Sequence, residues 1–351
     1  FAESGLPRRS ALMGAEEVSQ ALREHYHLDG ELAPIATEKD STFRLTGAGG
    51  SLFLVKVSPP EEPIPVVRCQ TDVIDWVEAA APEIPVQSVQ RTVTGTNHQP
   101  LHAADGSLLG VLRVFRFIPG TMLADADPTP AQFRQIGAAL GRLDVALRGF
   151  THPGIERPLV WNLNEFMHFE ALIAREPDSQ NAALARHIFD LFRTRLEPVR
   201  ASLRSQVIHG DLSIFNAVVA PDTEEFVAGI LDFGDVQYGP VIFDPAVLLA
   251  NHLLPAPRPP WEAAQHLAAG YLQAHPLSEE EISLLVVATL ARLVLRALVT
   301  NVRVELVPER EAYLREHSRG DWEALHNAWA YGVETAEGDL LRARTVQQRE
   351  D

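Results

Sequence analysis

Three side chains within one short stretch have the types and spacing that phosphoryl transfer needs. The stretch is VIHGDLSIFNAVVAPDTEEFVAGILDFGD, residues 207–235. Asn216 follows Asp211 at the fifth position, and Asp232 opens an Asp-Phe-Gly sequence 21 residues after Asp211. A phosphoryl group in transfer is already electrophilic, so an enzyme mostly positions the reactants and neutralises charge. One carboxylate must face the attacking hydroxyl, orient it and accept its proton, and Asp211 suits that role as a loop aspartate. Magnesium is a hard cation that takes few protein oxygens and keeps its waters. Asn216 and Asp232 supply such oxygens. A hairpin between them (AVVA, a turn at Pro221-Asp222, then FVAGIL) can return Asp232 to the neighbourhood of Asn216. HGD or DFG alone is more often a loop aspartate capping a turn. Together, at this spacing, they point to catalysis.

The elements that must hold these residues change character near residue 120. Before it the chain reads mainly as short strands. TFRLT (42–46) and SLFLVKV (51–57) flank GAGG, a hairpin signal. A helical pattern covers 65–80, and strands are expected at 86–93 and 108–117 around a turn at Asp105-Gly106. After it helices dominate. Thr129-Pro130 is an N-cap with proline at the first helical position, and Phe133, Ile136, Leu140, Leu143 and Leu147 then share one face. A second helix is expected over 181–197, with Leu184, Ile188, Leu191 and Leu196 inward. Ser278 and Glu281 form a capping box ahead of an apolar helix at 282–300. That helix is about long enough to span a membrane, but Arg292 and Arg296 lie four apart on one face, where lipid would make them costly. A buried helix is the expectation. The expected class is therefore α+β: a β-rich N-terminal lobe (1–117) and a mostly helical C-terminal lobe (118–351).

Composition limits the function. Apolar residues make up 46% and charged residues 22% of 351, as in a soluble globular protein. A single cysteine, Cys69, leaves no internal disulfide framework or multi-cysteine zinc site. It suits a reducing, cytoplasmic compartment. Lys plus Arg total 30 and Asp plus Glu total 47, so the formal charge is 30 − 47 = −17. Such a surface repels nucleic acid and anionic membranes; it suits a cationic or zwitterionic partner, and equally serves solubility alone, the commoner reason for an acidic surface. The opening segment FAESGLPRRS has no apolar core, so no secretory signal is expected there.

The HGDxxxxN loop and later DFG resemble the aminoglycoside phosphotransferase and choline kinase superfamily, a bilobal, protein-kinase-like fold. Within it TEKDSTFRL (37–45), FLVKVS (53–58), RVFRFIPGTML (113–123) and IGAALGRLDVALRGFTHPGIERPLVWNL (136–163) resemble the hydroxylysine kinase branch, near the type II homoserine kinases. The resemblance spans roughly 35–250. It implies a small-molecule kinase with an alcohol acceptor, Asp211 as base, Asn216 and Asp232 holding Mg²⁺, and His209 and Asp244 supporting the loop. It also implies Lys56 at the nucleotide phosphates, with Ser41 and Thr42 in a loop (Glu38 to Thr42) that lacks the protein-kinase glycines. The TGAGG glycines read as the hairpin tip. Phe115 to Gly120, including Phe117, should join the lobes and face the purine of ATP or GTP. The resembled branch uses GTP. One departure stands out: Arg68 falls where that branch has the glutamate that pairs with the lysine. Asp72, Glu61 or Glu62 could substitute. For the acceptor, Trp161 could stack on a cation or be core, and Asp235 could hold an ammonium or be structural. Arg292 and Arg296 could grip a carboxylate or be paired with acidic core residues. These features favour a hydroxy-amino acid such as hydroxylysine. An antibiotic phosphotransferase and a nucleotide-binding pseudokinase are the alternatives.

Overall fold

The computed structural model describes residues 13–37, 39–308, 311–316 and 318–347; the opening ten residues and Glu38 of the phosphate loop lie outside them. An unforeseen helix, α1 (Ala15–Tyr26), precedes an antiparallel sheet. Its strands are β1 (Gly30–Ile35), β2 (Ser41–Gly47), β3 (Leu52–Ser58), β4 (Val89–Gln90), β5 (Gln99–His102) and β6 (Leu108–Arg116). They run in the order β1-β2-β3-β6-β4, with β5 also on β6. Gly49 and Gly50 have φ of 79° and 83° at the β2–β3 tip, a left-handed turn that glycine adopts without strain. The strand expected at 86–93 shrinks to β4, because only Val89 and Gln90 pair with β6.

The period of two along β6 divides its side chains between two faces. Leu112 and Val114 pack with Val55, Val57 and α1 residues Val18 and Leu22. Arg113 and Phe115 face the other way, beside their cross-strand partners Lys56 and Leu54. There Phe115 meets Val73, Ile74 and Val77 of α2 (Ile64–Ala80). Alternation thus places Lys56 and Arg113 together on the side that faces the rest of the molecule.

The C-terminal part contributes β7 (Thr121–Met122), α3 (Pro130–Ala146), α4 (Ser179–Leu191), β8 (Ser205–Ile208), β9 (Ala217–Val219), β10 (Val227–Ile230) and β11 (Gln237–Pro240). Helices α5 (Phe243–Ala250), α6 (Glu262–Ala274), α7 (Glu279–Leu306), α8 (Glu311–Glu316), α9 (Asp321–Tyr331) and α10 (Val333–Gln347) complete it. β10-β9-β7 form one small sheet and β11-β8 another. The helix expected over 181–197 begins at Ser179, and its last turn, Phe192–Leu196, widens to π-helical. α7 starts at its capping box, Ser278 with Glu281. By length and composition it could cross a membrane, yet 89% of its most apolar window is buried inside the fold.

Two features place the site. α3 and α6 approach closely: a Cβ on Gly137 would overlap the Leu267 carbonyl, and one on Gly270 the Arg134 carbonyl. The lobes are also stitched beside the catalytic hairpin. Ile230 donates its N–H to Pro85 O at 2.7 Å, Gln87 donates to Ile230 O at 3.3 Å, and Val86 forms a parallel bridge with Ile230. Because the α3–α6 backbones leave no room for a methyl group, Gly137→Ala or Gly270→Ala should each destabilise the protein by about 2 kcal/mol. Thermal unfolding reads this as a lower Tm; an unchanged Tm would refute the close approach.

Candidate active site

The loop after β8 owes its shape to a buried carboxylate. Asp244, in the first turn of α5, is 0% exposed. Its Oδ2 accepts the His209 N–H at 2.8 Å and its Oδ1 the Gly210 N–H at 2.8 Å. Gly210 has φ 81°, and a Cβ there would strike the Asp235 carbonyl. His209 ties this loop to the strand before the Asp-Phe-Gly. Its Nε2–H donates to Leu231 O at 3.1 Å, so Nδ1 is left to accept the Asp211 N–H at 3.3 Å. Its ring meets Phe233 edge-on at 4.8 Å.

Behind Asp244 stands Asp144 of α3, also 0% exposed, which the sequence reading did not single out. Tyr271 of α6 donates its hydroxyl to Asp144 Oδ2 at 2.6 Å. Burial pushes the Asp144 carboxyl well above the usual carboxylate range, and the neighbouring Asp244, to which it is hydrogen-bonded, pushes it further. Asp144 therefore keeps its proton and serves Asp244 as a donor. A signal was present: Asp144 directly follows Leu143 on an otherwise apolar helix face, where a charged side chain has no solvent to reach.

The β9–β10 hairpin forms as expected, and it brings Asp211, Asn216 and Asp232 together. Leu231 donates its N–H to Asn216 O at 2.9 Å. The Asn216 amide nitrogen donates to Asp211 Oδ2 at 2.9 Å and to Asp211 O at 2.8 Å. Asp232 sits in left-handed backbone, φ 57°, a conformation a non-glycine residue adopts at some cost. The Gly234 N–H, donating to Asp232 Oδ1 at 3.0 Å, helps to hold it there.

Lys56 resolves the question raised by Arg68. Its Nζ lies 3.0 Å from Asp232 Oδ2. Two of the acids proposed as its partner are engaged elsewhere. Asp72 pairs with Arg68 at 3.0 Å and with His152 at 3.3 Å, and it accepts from Asn97 at 2.8 Å. Glu62 pairs with Lys39. Arg68 itself is an exposed helix residue. The link from α2 to the sheet runs instead through Gln70, which accepts from Arg113. Arg113, 2% exposed, also donates to Asp40 Oδ2 at 2.9 Å and Ser58 Oγ at 2.7 Å. Asp40 belongs to the expected phosphate loop, so a buried arginine anchors that loop to α2. Ser41 and Thr42 turn inward: Ser41 Oγ accepts the Met13 N–H at 2.8 Å, and the Thr42 hydroxyl meets that of Thr37 at 3.1 Å. Phe115 lies within the β6 ladder with its ring buried, so the connector between the lobes begins only after Arg116, at Phe117.

The acceptor candidates separate. Arg292, with a side chain only 6% exposed, reaches Asp211 Oδ1 at 3.0 Å and donates to Trp161 O at 3.2 Å. Its guanidinium lies 5.0 Å from the centre of the half-buried Trp161 ring. Arg296 does not join it. Its guanidinium grips Asp321 through two hydrogen bonds, 2.9 and 2.7 Å, and also donates to Asn251. An arginine pair for one carboxylate is therefore not what α7 presents. Asp235 lies near both Asp211 and Arg157 and acts electrostatically on each. Arg157, another residue the sequence reading passed over, donates to the carbonyls of Gly154 and Gly234.

The two functional carboxylates differ in charge. The Lys56 ammonium holds Asp232 down to about 2. Burial pushes Asp211 up to about 7, Arg292 pulls against that, and Asp235 and Asp232 add to the rise. Asp232 is thus a ready anion and Asp211 a group poised near neutrality. Ionised Asp232 and the amide oxygen of Asn216 fit a hard cation that keeps most of its waters. Among the described residues no cluster of three or more His, Cys, Asp or Glu side chains could hold a metal unaided.

The profile of the phosphotransferase enzyme family (APH) matches residues 31–282, and the chain belongs to that family. Fold and family make it a small-molecule phosphotransferase with a hydroxyl acceptor. Hydroxylysine kinase from Mus musculus is 25% identical over 88% of this chain and 86% of its own length. Its counterpart from Danio rerio is 23% identical over 92% and 93%. An amicoumacin kinase superposes with a TM-score of 0.66 at 18% identity, covering 88% of this chain and 93% of that one. A spectinomycin phosphotransferase superposes with a TM-score of 0.67 at 13% identity, covering 91% and 99%. The protein-kinase-like architecture is thereby established.

Two predictions follow from the supports around the site. Asp144 is protonated when folded and ionised when unfolded at neutral pH, so unfolding releases a proton and its contribution to stability falls as pH rises above about 4. Asp144→Asn keeps a donor for Asp244 without that penalty. The Tm gain of the variant over wild type should grow between pH 5 and pH 8; a gap that is constant or shrinks refutes a protonated Asp144. Arg113→Met should raise the nucleotide KM about tenfold, the size of one lost charge-assisted hydrogen bond. Arg68→Ala should leave it unchanged, and equal effects of the two would remove the anchor role of Arg113.

Proposed function

We propose that this protein transfers the γ-phosphoryl group of ATP or GTP to the side-chain hydroxyl of a hydroxy-amino acid, hydroxylysine being the best fit. The observation that carries the reading is Arg292, a nearly buried cation 3.0 Å from the base candidate Asp211. A guanidinium beside the reacting hydroxyl suits an acceptor that brings a carboxylate. Asp235, an acid beside Asp211, suits an ammonium group, while the Trp161 ring carries the Arg292 and Arg303 guanidiniums. Hydroxylysine kinases matched over 86–93% of their length support the same substrate class. An aminoglycoside needs the acids but has no carboxylate for Arg292.

In this reading Asp211 accepts the proton of the acceptor hydroxyl, whose oxygen attacks the γ-phosphorus while the bond to the bridging oxygen breaks and the nucleoside diphosphate leaves. Asn216 fixes the carboxylate through Oδ2. Asp232 and the Asn216 oxygen would hold Mg²⁺, whose positive charge neutralises the phosphates when bound. Lys56 sits beside Asp232, where phosphate oxygens would meet it. His209 and Asp244 keep the loop in register. One cysteine, Cys69, and a net charge of −17 suit a cytoplasmic protein with no nucleic-acid or membrane partner.

The test is a phosphate-transfer screen of amino alcohols and hydroxy-amino acids with each nucleotide and Mg²⁺. Hydroxylysine should be phosphorylated, and lysine should bind without turnover. Asp211→Asn should lower kcat by about 10³-fold or more with nucleotide affinity nearly intact. Transfer to aminoglycosides in preference to hydroxy-amino acids would overturn the substrate reading, and an active Asp211→Asn would overturn the base.

A further inference from the structure

Both oxygens of the Asp211 carboxylate carry a donor. Oδ2 accepts from the Asn216 amide at 2.9 Å, and Oδ1 accepts from Arg292 Nη2 at 3.0 Å. The Asp211 backbone carbonyl is likewise taken by Asn216. A general base needs a lone pair within reach of the hydroxyl it serves; each carboxylate oxygen has two, so a donor on Oδ1 competes for the approach to that oxygen and does not exhaust it. The Asn216 bond is part of the loop, made over five residues. The Arg292 bond is not: it spans 81 residues, from α7 to the loop.

Arg292 has a second hold that does not involve Asp211. Nη1 donates to Trp161 O at 3.2 Å, and the guanidinium packs 5.0 Å from the Trp161 ring. It can therefore keep its seat while exchanging one carboxylate for another. Its other charged neighbours include Asp235, Arg296 (occupied by Asp321) and Arg303, whose guanidinium lies 5.8 Å from the centre of the same Trp161 ring. A free carboxylate entering beside Arg292 offers a planar, two-oxygen partner for the guanidinium fork, a stronger arrangement than the single bond to Asp211 Oδ1.

We infer that Arg292 masks Asp211 in the ligand-free protein, and that the carboxylate of the acceptor takes over Arg292 and so frees Oδ1 to receive the hydroxyl proton. This rests on the hydroxy-amino acid reading above. Arg292 is then a specificity residue that acts on turnover as well as binding. An acceptor with the right hydroxyl and no carboxylate leaves Arg292 in competition for Oδ1.

The experiment compares a hydroxylated diamino acid with its decarboxylated diamine, with and without acetate, against chloride at equal ionic strength. Wild type should turn over the diamine with a kcat at least about tenfold lower than the acid, and acetate should restore much of it, as a supplied partner for Arg292. Arg292→Leu should raise kcat for the diamine, raise KM for the acid and abolish the acetate effect; Arg292→Lys, which keeps the charge but not the fork, should retain part of it. The wild-type acetate response needs no variant to fold. If neither compound accepts phosphate, the substrate reading fails. The masking is then scored on nucleotide hydrolysis, with water at Asp211, which acetate should still accelerate. No acetate effect on wild type in either assay, or an Arg292→Leu loss of kcat shared equally by acid and diamine, overturns the inference.

Discussion

The carboxylate of Asp244 is the constraint on which the site depends. It lies in the helical core and holds two successive backbone N–H groups of the loop that carries Asp211. A buried anion is costly unless it is fully hydrogen-bonded. Here two amide donors and a protonated neighbour meet it. Asp144 keeps its proton because its burial, and then the charge of neighbouring Asp244, oppose its ionisation. Tyr271 then fixes Asp144 from α6. The loop is thus referenced through Asp244 and Asp144 to the α3–α6 pair, where glycines let the helix backbones come closest.

A second chain of polar residues organises the nucleotide side. In place of a helix glutamate on the strand lysine, Lys56 pairs with Asp232 across the cleft, and α2 reaches the sheet through Gln70 and Arg113. Arg113 and Lys56 are cross-strand neighbours, so one face of the sheet presents two cations side by side. Asp40 and Ser58 absorb one of them. The arrangement leaves Lys56 as the cation aimed at the opposite lobe. Asp232 accordingly stays ionised, while burial and the neighbouring acids hold Asp211 up near neutrality against the pull of Arg292.

Local patterning made the framework legible in the sequence. The hairpin between Asn216 and Asp232 is a short-range structure, so spacing alone brings Asp211, Asn216 and Asp232 together. The α3 and α7 caps are equally local, and both appear where Thr129 and Ser278 place them. What escaped was set by distant partners. Arg292 and Arg296 are one helical turn apart and alike in sequence. Only the packing of α9, which brings Asp321 to one of them, and of the Trp161 segment, which faces the other, tells them apart. The partner of Lys56 lies 176 residues away, and no pattern on α2 could reveal it. α1 and β1 were missed because α1 covers the outer sheet face alone, with few apolar residues to mark it.

The stitch between Pro85–Gln87 and Ile230 has a mechanical consequence. Ile230 is the last residue of β10, two positions before Asp232, and it bonds to the N-terminal lobe through both its N–H and its C=O. A pair of bonds at one residue works as a door pin: it allows the nucleotide lobe to swing and forbids it to slide. The pin is set almost at the metal-binding carboxylate itself. Lys56 Nζ, 3.0 Å from Asp232 Oδ2, lies almost as close to that pin, so a swing of the nucleotide lobe would displace the Lys56–Asp232 pair least and the outer strands of the sheet most.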